Sequence, residues 1–276
     1  MQSALFLKEK GFEIFASDAG SSPALLEHVC ELQSKGIQAE SGGHTIEKIL
    51  ACDWTVISPG IPPTAPVYQA LRGAGKPVYS EIEVASWFCP SKKIIAVTGS
   101  SGKTTVTTLI ARVIQKNFAK LFLCGNIGNP WIGELSKIKP EDYVVLELSS
   151  FQLAHCEKFH PQIAALLNLS PNHQDWHPDM RDYVLAKWRI FQNQQAGDTS
   201  IFRQKDRREF FPDFKFAAQI HEFDLQPGAN PNEDVVRLIA KILGCTSESV
   251  DQVLAEFEGI EHRLEKVAQT SSVTFI

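Results

Sequence analysis

Lys92-Lys93-Ile94-Ile95-Ala96-Val97-Thr98-Gly99-Ser100-Ser101-Gly102-Lys103-Thr104-Thr105 is the stretch around which the rest of the chain arranges itself. The apolar run Ile94 to Val97 predicts a buried parallel strand, and the periodicity from Val106 to Val113 predicts a helix. Small residues turn the chain between them. Strand, glycine-rich loop and helix in that order make a phosphate cradle: N–H groups and a helix N-terminus face the anion, Lys103 adds a point charge, and a threonine hydroxyl can hold magnesium. The spacing departs from the standard P-loop, Gly-x-x-x-x-Gly-Lys, which wants a glycine where Val97 stands. An ordinary strand-to-helix turn with a solvated lysine is the plain alternative. The context favours a nucleotide site, with Gly99, Ser100, Ser101, Gly102, Lys103, Thr104 and Thr105 as its candidates.

The 276 residues suit roughly two domains. Hydrophobic residues make up 43% and charged residues 21%, an ordinary globular balance. A net charge of −5 argues against a nucleic-acid coat or a polybasic membrane anchor. No apolar run approaches the ~18 residues that span a bilayer, and the N-terminus lacks a signal-peptide pattern. The six cysteines are dispersed with no Cys-x-x-Cys pair, as expected of reduced thiols in a cytoplasmic protein.

Downstream of the loop, strands and helices alternate. Leu121 to Cys124 predicts a strand opening into Gly125-Asn126-Ile127-Gly128. Tyr143 to Leu148, apolar except for Glu147, leads into Ser149-Ser150-Phe151-Gln152-Leu153. Ile163 to Leu169 ends at Ser170-Pro171-Asn172-His173-Gln174-Asp175-Trp176-His177. All three deliver polar groups where open α/β sheets put ligands, at the C-terminal ends of strands. A carboxylate in a buried strand costs several kcal/mol unless paired or metal-bound, so Glu147 favours a metal or phosphate-bridging role over a satisfied core carboxylate. Lys187 lies on a helix predicted over Met180 to Gln192. Its stem can follow the apolar face with its head in water, and a functional role stays open beside that. Ser200 to Arg203 predicts a strand, and Glu209 to Glu222 has no definite pattern. Helices follow over Asp234 to Leu243 and Ser247 to Phe257, the latter capped by Ser247, and then a β-rich end at Val273 to Ile276.

Upstream, a helix over Ser3 to Lys10 precedes a strand, Phe12 to Ala16, that leads to Asp18. An acidic residue there commonly meets a ribose or base, but a cap or turn role is equally open to Asp18, since Gly20, Ser21, Ser22 and Pro23 follow. The strand Trp54 to Ile57 runs into Ser58-Pro59-Gly60, a small rigid loop suited to close ligand approach and also to a plain turn. Further helices and the strand Val78-Tyr79 complete a small α/β unit, with Cys89-Pro90-Ser91 as its linker. A nucleotide-binding unit would supply a strand and a Gly-rich turn before the first helix, and the chain stops within a strand pattern. Both ends are therefore expected to be truncations.

These stretches together resemble the Mur ligases of peptidoglycan synthesis. The shortened Gly99 to Thr105 loop, Gly125-Asn126-Ile127-Gly128, Glu147-Leu148-Ser149-Ser150-Phe151-Gln152-Leu153, Ala186-Lys187-x-x-Ile190 and His262-Arg263-x-Glu265 follow the family's order and approximate spacing. The Glu147 to Leu153 string is most similar to the branch that joins D-glutamate to UDP-N-acetylmuramoyl-L-alanine through an acyl phosphate. The resemblance implies an α/β fold with a Rossmann-like UDP-sugar domain at 1–91 lacking its first strand. A P-loop-type parallel-sheet ATPase domain at 92–259 and only the start of a C-terminal Rossmann-like domain at 260–276 follow. It implies ATP and two Mg2+ sites, one held by Thr104 and Glu147, the other by His173 and a carbamylated Lys187. Lys103, Glu147, His173 and Lys187 would be catalytic, and Asn230 and Arg263 would join the loop on ATP. Asp18, Ser58, Pro59, Gly60, Asn126, Ser149 and Gln152 would hold the UDP-sugar peptide. A monomer without nucleic-acid or membrane partners is implied, inactive alone because the D-glutamate pocket lies beyond residue 276.

Three motifs depart from the pattern. Asn172 replaces an aspartate of Asp-His-x-Asp, Gly228 to Asn232 degrades an adenine-side motif, and Ala19 and Gly20 replace polar residues. The other readings are a non-catalytic nucleotide- or UDP-sugar-binding remnant and a sister ligase adding another amino acid.

Overall fold

Alternating short helices and strands fill the N-terminal third: α1 (Gln2–Glu9), β1 (Phe15–Asp18), α2 (Pro23–Ser34), β2 (Gln38–Ser41), α3 (Ile46–Ala51), β3 (Thr55–Ile57), α4 (Pro66–Gly73), β4 (Val78–Ser80) and α5 (Glu81–Phe88). The computed structural model describes residues 1–118, 120–172, 176–224, 230–257, 259, 268–269 and 274–275. Proline at the first position starts α2 and α4, where its missing N–H costs no helix bond. Ser22 caps α2 by accepting from the Leu25 N–H. β1 pairs in parallel with β2, and β3 with β4, as two separate two-stranded sheets.

The remainder comprises β5 (Ile94–Thr98), α6 (Lys103–Asn117), β6 (Leu121–Gly125), α7 (Trp131–Glu134), β7 (Tyr143–Glu147), α8 (Ser150–Leu153), β8 (Ile163–Leu166), α9 (Met180–Trp188), β9 (Thr199–Arg203), α10 (Gln204–Phe210), β10 (Gln219–Phe223), α11 (Pro231–Ile242) and α12 (Ser247–Ala255). A short antiparallel pair, β11 (Ala268–Gln269) and β12 (Thr274–Phe275), follows. Six parallel strands form one sheet in the order β10-β9-β8-β5-β7-β6.

β5 is buried at every position, which is why it reads as a continuous apolar run rather than an alternating one. Ile94 and Ala96 point into a core shared with α5, α7 and α9, while Ile95 and Val97 point into the core under α6, α11 and α12. Fully burying each such isoleucine or valine contributes about 1.5–3 kcal/mol. Phe6 and Leu7 of α1 and Ile82, Val84 and Ala85 of α5 belong to the first of these cores, and both helices pack against α7. The 89–91 segment is correspondingly packed in: Cys89 and Ser91 are buried, and the Ser91 hydroxyl donates to the Asp142 carbonyl at 2.6 Å.

After β5 the chain crosses to the edge at β6, returns at β7, and then passes to the other side of β5 at β8. That reversal opens a crevice at the C-terminal ends of β5, β7 and β8, the place where doubly wound sheets bind ligands.

Some boundaries differ from the sequence expectation. α6 begins at Lys103 and runs to Asn117, because its outer face is polar and hides the helical period at both ends. α10 ends just inside the patternless segment 209–222 and β10 occupies its end; β10 is an edge strand with a largely exposed face, so no apolar run marks it. Thr246, not Ser247, caps α12, its hydroxyl accepting from the Ser249 N–H at 3.3 Å.

Candidate active site

The loop between β5 and α6 turns at Gly102, whose φ of 79° is left-handed and favours glycine. A Cβ at that position would also lie 2.6 Å from the Asn232 Oδ1, so the α11 side chain closes on the turn. No side chain caps α6, whose N-cap is Gly102 itself, and the positive end of a 15-residue helix is presented to the loop. Lys103, on the first turn, curls back so that Nζ donates to the Gly99 carbonyl at 2.9 Å and the Ser100 carbonyl at 3.2 Å. Thr104 is buried beside it.

Glu147 ends β7 in register with Val97 of β5, directly beneath this loop. It is 1% exposed; Oε1 accepts from Asn126 Nδ2 at 2.9 Å, and Oε2 is buried with no hydrogen-bond partner among the described residues. Leaving a buried carboxylate oxygen unpaired costs about 1–3 kcal/mol or more, a cost that a cation would remove. The end of β6 is shaped to bring Asn126 there. A Cβ on Gly125 would meet the Glu147 carbonyl oxygen at 2.3 Å, and the Asn126 N–H donates to that oxygen at 2.8 Å.

Lys187, on α9, is 1% exposed. Its ammonium donates to Thr98 Oγ1 at 3.0 Å and the Gly99 carbonyl at 3.1 Å, and lies 4.8 Å from the Tyr183 ring centroid. Its head group therefore ends at the phosphate loop and does not snorkel to water. Burial, and after it the charge of Lys103, holds its pKa well below the usual lysine range. Phosphate loop, Glu147, Asn126 and Lys187 thus meet at one end of the sheet. No group of three His, Cys, Asp or Glu side chains suited to a metal occurs among the described residues. Carboxylate and threonine hydroxyl oxygens are nonetheless the hard donors magnesium takes, and the unpaired Glu147 Oε2 fits it.

Other candidates are satisfied locally. Ser149 and Gln152 form a capping box at the start of α8: the Ser149 hydroxyl accepts from the Gln152 N–H at 3.2 Å, and Gln152 Oε1 accepts from the Ser149 N–H at 3.0 Å. Asp18 is exposed and its Oδ1 accepts from the Gly20 N–H at 2.8 Å, the turn role. Ser58, Pro59 and Gly60 are exposed, with the Ser58 carbonyl accepting from the Ile61 N–H at 3.0 Å. Asn230 caps α11, Oδ1 accepting from the Asn232 N–H at 3.1 Å. His173 and Arg263 lie outside the described residues.

Two buried groups near the loop were not singled out from sequence. His177 is 1% exposed, with Nδ1 2.6 Å from Asp182 Oδ2 and Nε2 2.8 Å from the Ser150 hydroxyl. The Tyr183 hydroxyl lies 2.9 Å from the Ser100 hydroxyl, linking α9 to the loop. The Ser150–His177 and Ser100–Tyr183 partners are far apart in the chain, so no local spacing reveals those two contacts.

Residues 97–260 match the model of the Mur ligase middle domain, and residues 3–67 that of the MurD N-terminal domain. UDP-N-acetylmuramoylalanine–D-glutamate ligase of Chloroherpeton thalassium is 33% identical, covering 99% of this chain and 69% of that protein. The enzyme of the same name from Bacteroides fragilis is 36% identical over the same shares. Among solved structures, a UDP-N-acetylmuramate:L-alanyl-γ-D-glutamyl-meso-diaminopimelate ligase from Neisseria meningitides superposes with a TM-score of 0.61 at 17% identity, covering 94% of each chain. MurF from Thermotoga maritima, in complex with ADP, gives 0.56 at 16% identity, covering 92% of this chain and 65% of that one. At such identities these likenesses speak for the fold.

Proposed function

The chain belongs to the Mur ligase family, in its MurD branch, and we propose that it serves the ATP-dependent joining of D-glutamate to UDP-N-acetylmuramoyl-L-alanine in cytoplasmic peptidoglycan synthesis. The observation that carries this reading is the convergence of a phosphate loop, a carboxylate with an unpaired buried oxygen and a buried lysine at one sheet end.

In this reading residues 1–91 take the UDP-sugar, 92–259 take ATP, and 260–276 lead into the ligase domain. The γ-phosphoryl group of ATP passes to the substrate carboxylate, giving an acyl phosphate and ADP. The amine of D-glutamate then attacks the carbonyl carbon, the bond to phosphate breaks, and the amine proton passes to solvent as the amide forms. The first transfer joins two anions, so it depends on alignment and charge neutralisation more than on covalent help. Gly99 to Thr105 would cradle the phosphates, with Lys103 swinging from the loop carbonyls onto the β- and γ-phosphates. Thr104 and Glu147 would hold one magnesium, and His173 with Lys187 a second. Bound there, magnesium supplies positive charge against the phosphate oxygens.

For Lys187 to serve as a ligand its cation must be converted, and carbamylation by carbon dioxide does this: the neutral amine forms a C–N bond and releases one proton. Burial supports the step by keeping the amine in its reactive neutral form. Asn126, which already fixes Glu147, would reach the sugar peptide together with Ser149 and Gln152. Asp18, Ser58, Pro59 and Gly60 would meet the UDP end, and Asn230 and Arg263 the nucleoside of ATP. No helix among the described residues is long and apolar enough to cross a membrane.

The test is chromatographic detection of UDP-N-acetylmuramoyl-L-Ala-D-Glu after incubation with MgATP, the UDP-sugar and D-glutamate, beside separate binding titrations of MgATP and the UDP-sugar. Both ligands should bind. Product from the chain alone would overturn the expectation that it is inactive unaided, and product only with another amino acid would replace the D-glutamate assignment. Failure to bind either ligand contradicts the reading.

A further inference from the structure

The phosphate loop is braced from an adjacent strand end by Asn168, a residue to which neither the motifs nor the proposed mechanism gives a role. Just past β8, the Asn168 Oδ1 accepts from the Ser101 N–H at 2.9 Å, and its Nδ2 donates to the Ser101 carbonyl at 3.1 Å. One amide side chain thus meets both polar groups of one loop residue, as a neighbouring strand would. This pairing fixes the amide orientation, because the flipped form would set donor against donor and acceptor against acceptor. The Asn168 carbonyl also accepts from the Ser100 N–H at 3.0 Å. The Ser100 hydroxyl bridges to the next turn, accepting from the Ser170 N–H at 2.9 Å and donating to the Ser170 carbonyl at 3.1 Å.

The N–H groups of Ser100 and Ser101 are therefore committed to Asn168 and cannot turn toward an anion without breaking the brace. We infer that Asn168 is a positioning residue that consumes these two loop N–H groups and thereby directs the nucleotide phosphates onto the N-terminus of α6. The anion then meets the helix end and the Lys103 ammonium in a loop already held in its bound shape. A loop without the brace could use its own N–H groups in several arrangements, and ordering it would be charged against ATP affinity. Asn168 is only half-buried, so its value lies in these bonds and not in core packing.

The inference rests on the reading of residues 99–105 as a nucleotide site, and the experiment separates the two. MgATP is titrated calorimetrically into the wild type, Asn168→Ala, Asn168→Asp and Lys103→Ala, with the thermal midpoint of each recorded. Loss of the side chain's two hydrogen bonds to the Ser101 main chain, about 1 kcal/mol each, predicts roughly ten- to thirtyfold weaker MgATP binding in Asn168→Ala, which also loses the longer 3.3 Å bond from the Ser101 hydroxyl. Asn168→Asp retains the acceptor but sets a carboxylate oxygen against the Ser101 carbonyl and beside the phosphates, so it should bind more weakly still. Binding of the UDP-sugar should be unchanged in both, a split that general destabilisation would not produce. Equal MgATP affinity in the wild type and Asn168→Ala, with Lys103→Ala impaired, overturns the inference alone. So does a parallel loss of UDP-sugar binding. Absence of MgATP binding by the wild type overturns the nucleotide reading and the inference together.

Discussion

The central sheet and the N-terminal strand pairs both carry candidate site residues, yet they hold them in opposite ways. At the ends of β5 and β7, ionisable groups are buried at a cost that the described surroundings do not remove: Glu147 has an unpaired oxygen, and the Lys187 amine meets neutral acceptors, a ring and the like charge of Lys103. In the N-terminal unit, Asp18 and the Ser58–Gly60 loop are exposed and answered by their own turns. Burial without compensation is a statement about function, since folding alone would replace such groups with apolar ones. Exposure with local satisfaction is silent, because the same bonds serve a turn and a waiting binding loop.

The contrast can be broken by substitution. Lys103→Ala should have the largest effect, weakening MgATP binding by at least about 100-fold through loss of a charge-assisted phosphate contact; calorimetric titration measures it. Glu147→Gln should lower the magnesium-dependent part of ATP affinity by about tenfold while leaving the thermal midpoint unchanged or higher, because an uncompensated buried charge is removed. A fall in the midpoint would make Glu147 an ordinary structural residue.

Glu81 sharpens the comparison, because it joins the two regions. It opens α5, and its Oε1 accepts from the Ile132 N–H of α7 at 2.6 Å. Burial pushes its carboxyl up to about 7. With the folded pKa above the unfolded one, its contribution is fully present below about pH 4.5 and is lost as pH rises through about 7. The loss should be about 2 kcal/mol, reduced by the part of the residue that solvent still reaches. Urea unfolding at about pH 5 and about pH 8 should show this decline in the wild type and a flatter profile in Glu81→Gln. Asp18→Asn should have the smallest effect, changing UDP-sugar affinity less than about threefold, since an amide oxygen can still accept from Gly20. A much larger loss would place Asp18 on the ligand and erase the contrast.

The central unit was legible in sequence because its signals are local. The Ile94–Val97 run, the Gly99–Thr105 loop and a lone carboxylate in the Tyr143–Glu147 strand each declare themselves within a few residues. Local signals failed where the polar face of an element hides its period, as at both ends of α6 and along the edge strand β10. They also failed where partners meet only through topology, as with Asn168 on Ser101 and His177 on Ser150. Lys187 shows both sides. Its apolar neighbours suggested a snorkelling stem, and only the fold sends its head to the Gly99 carbonyl.

Lys187 also offers the most direct test that uncompensated burial marks the reactive centre. The protein is equilibrated with 13C-bicarbonate at mildly alkaline pH, and the protein-bound carbamate carbon is observed by NMR in the wild type and in Lys187→Ala. A carbamate resonance present in the wild type and absent in the variant is the predicted result. No retained label, or a resonance indifferent to the substitution, would mean that the buried amine is a structural group and that the central cluster must be reinterpreted.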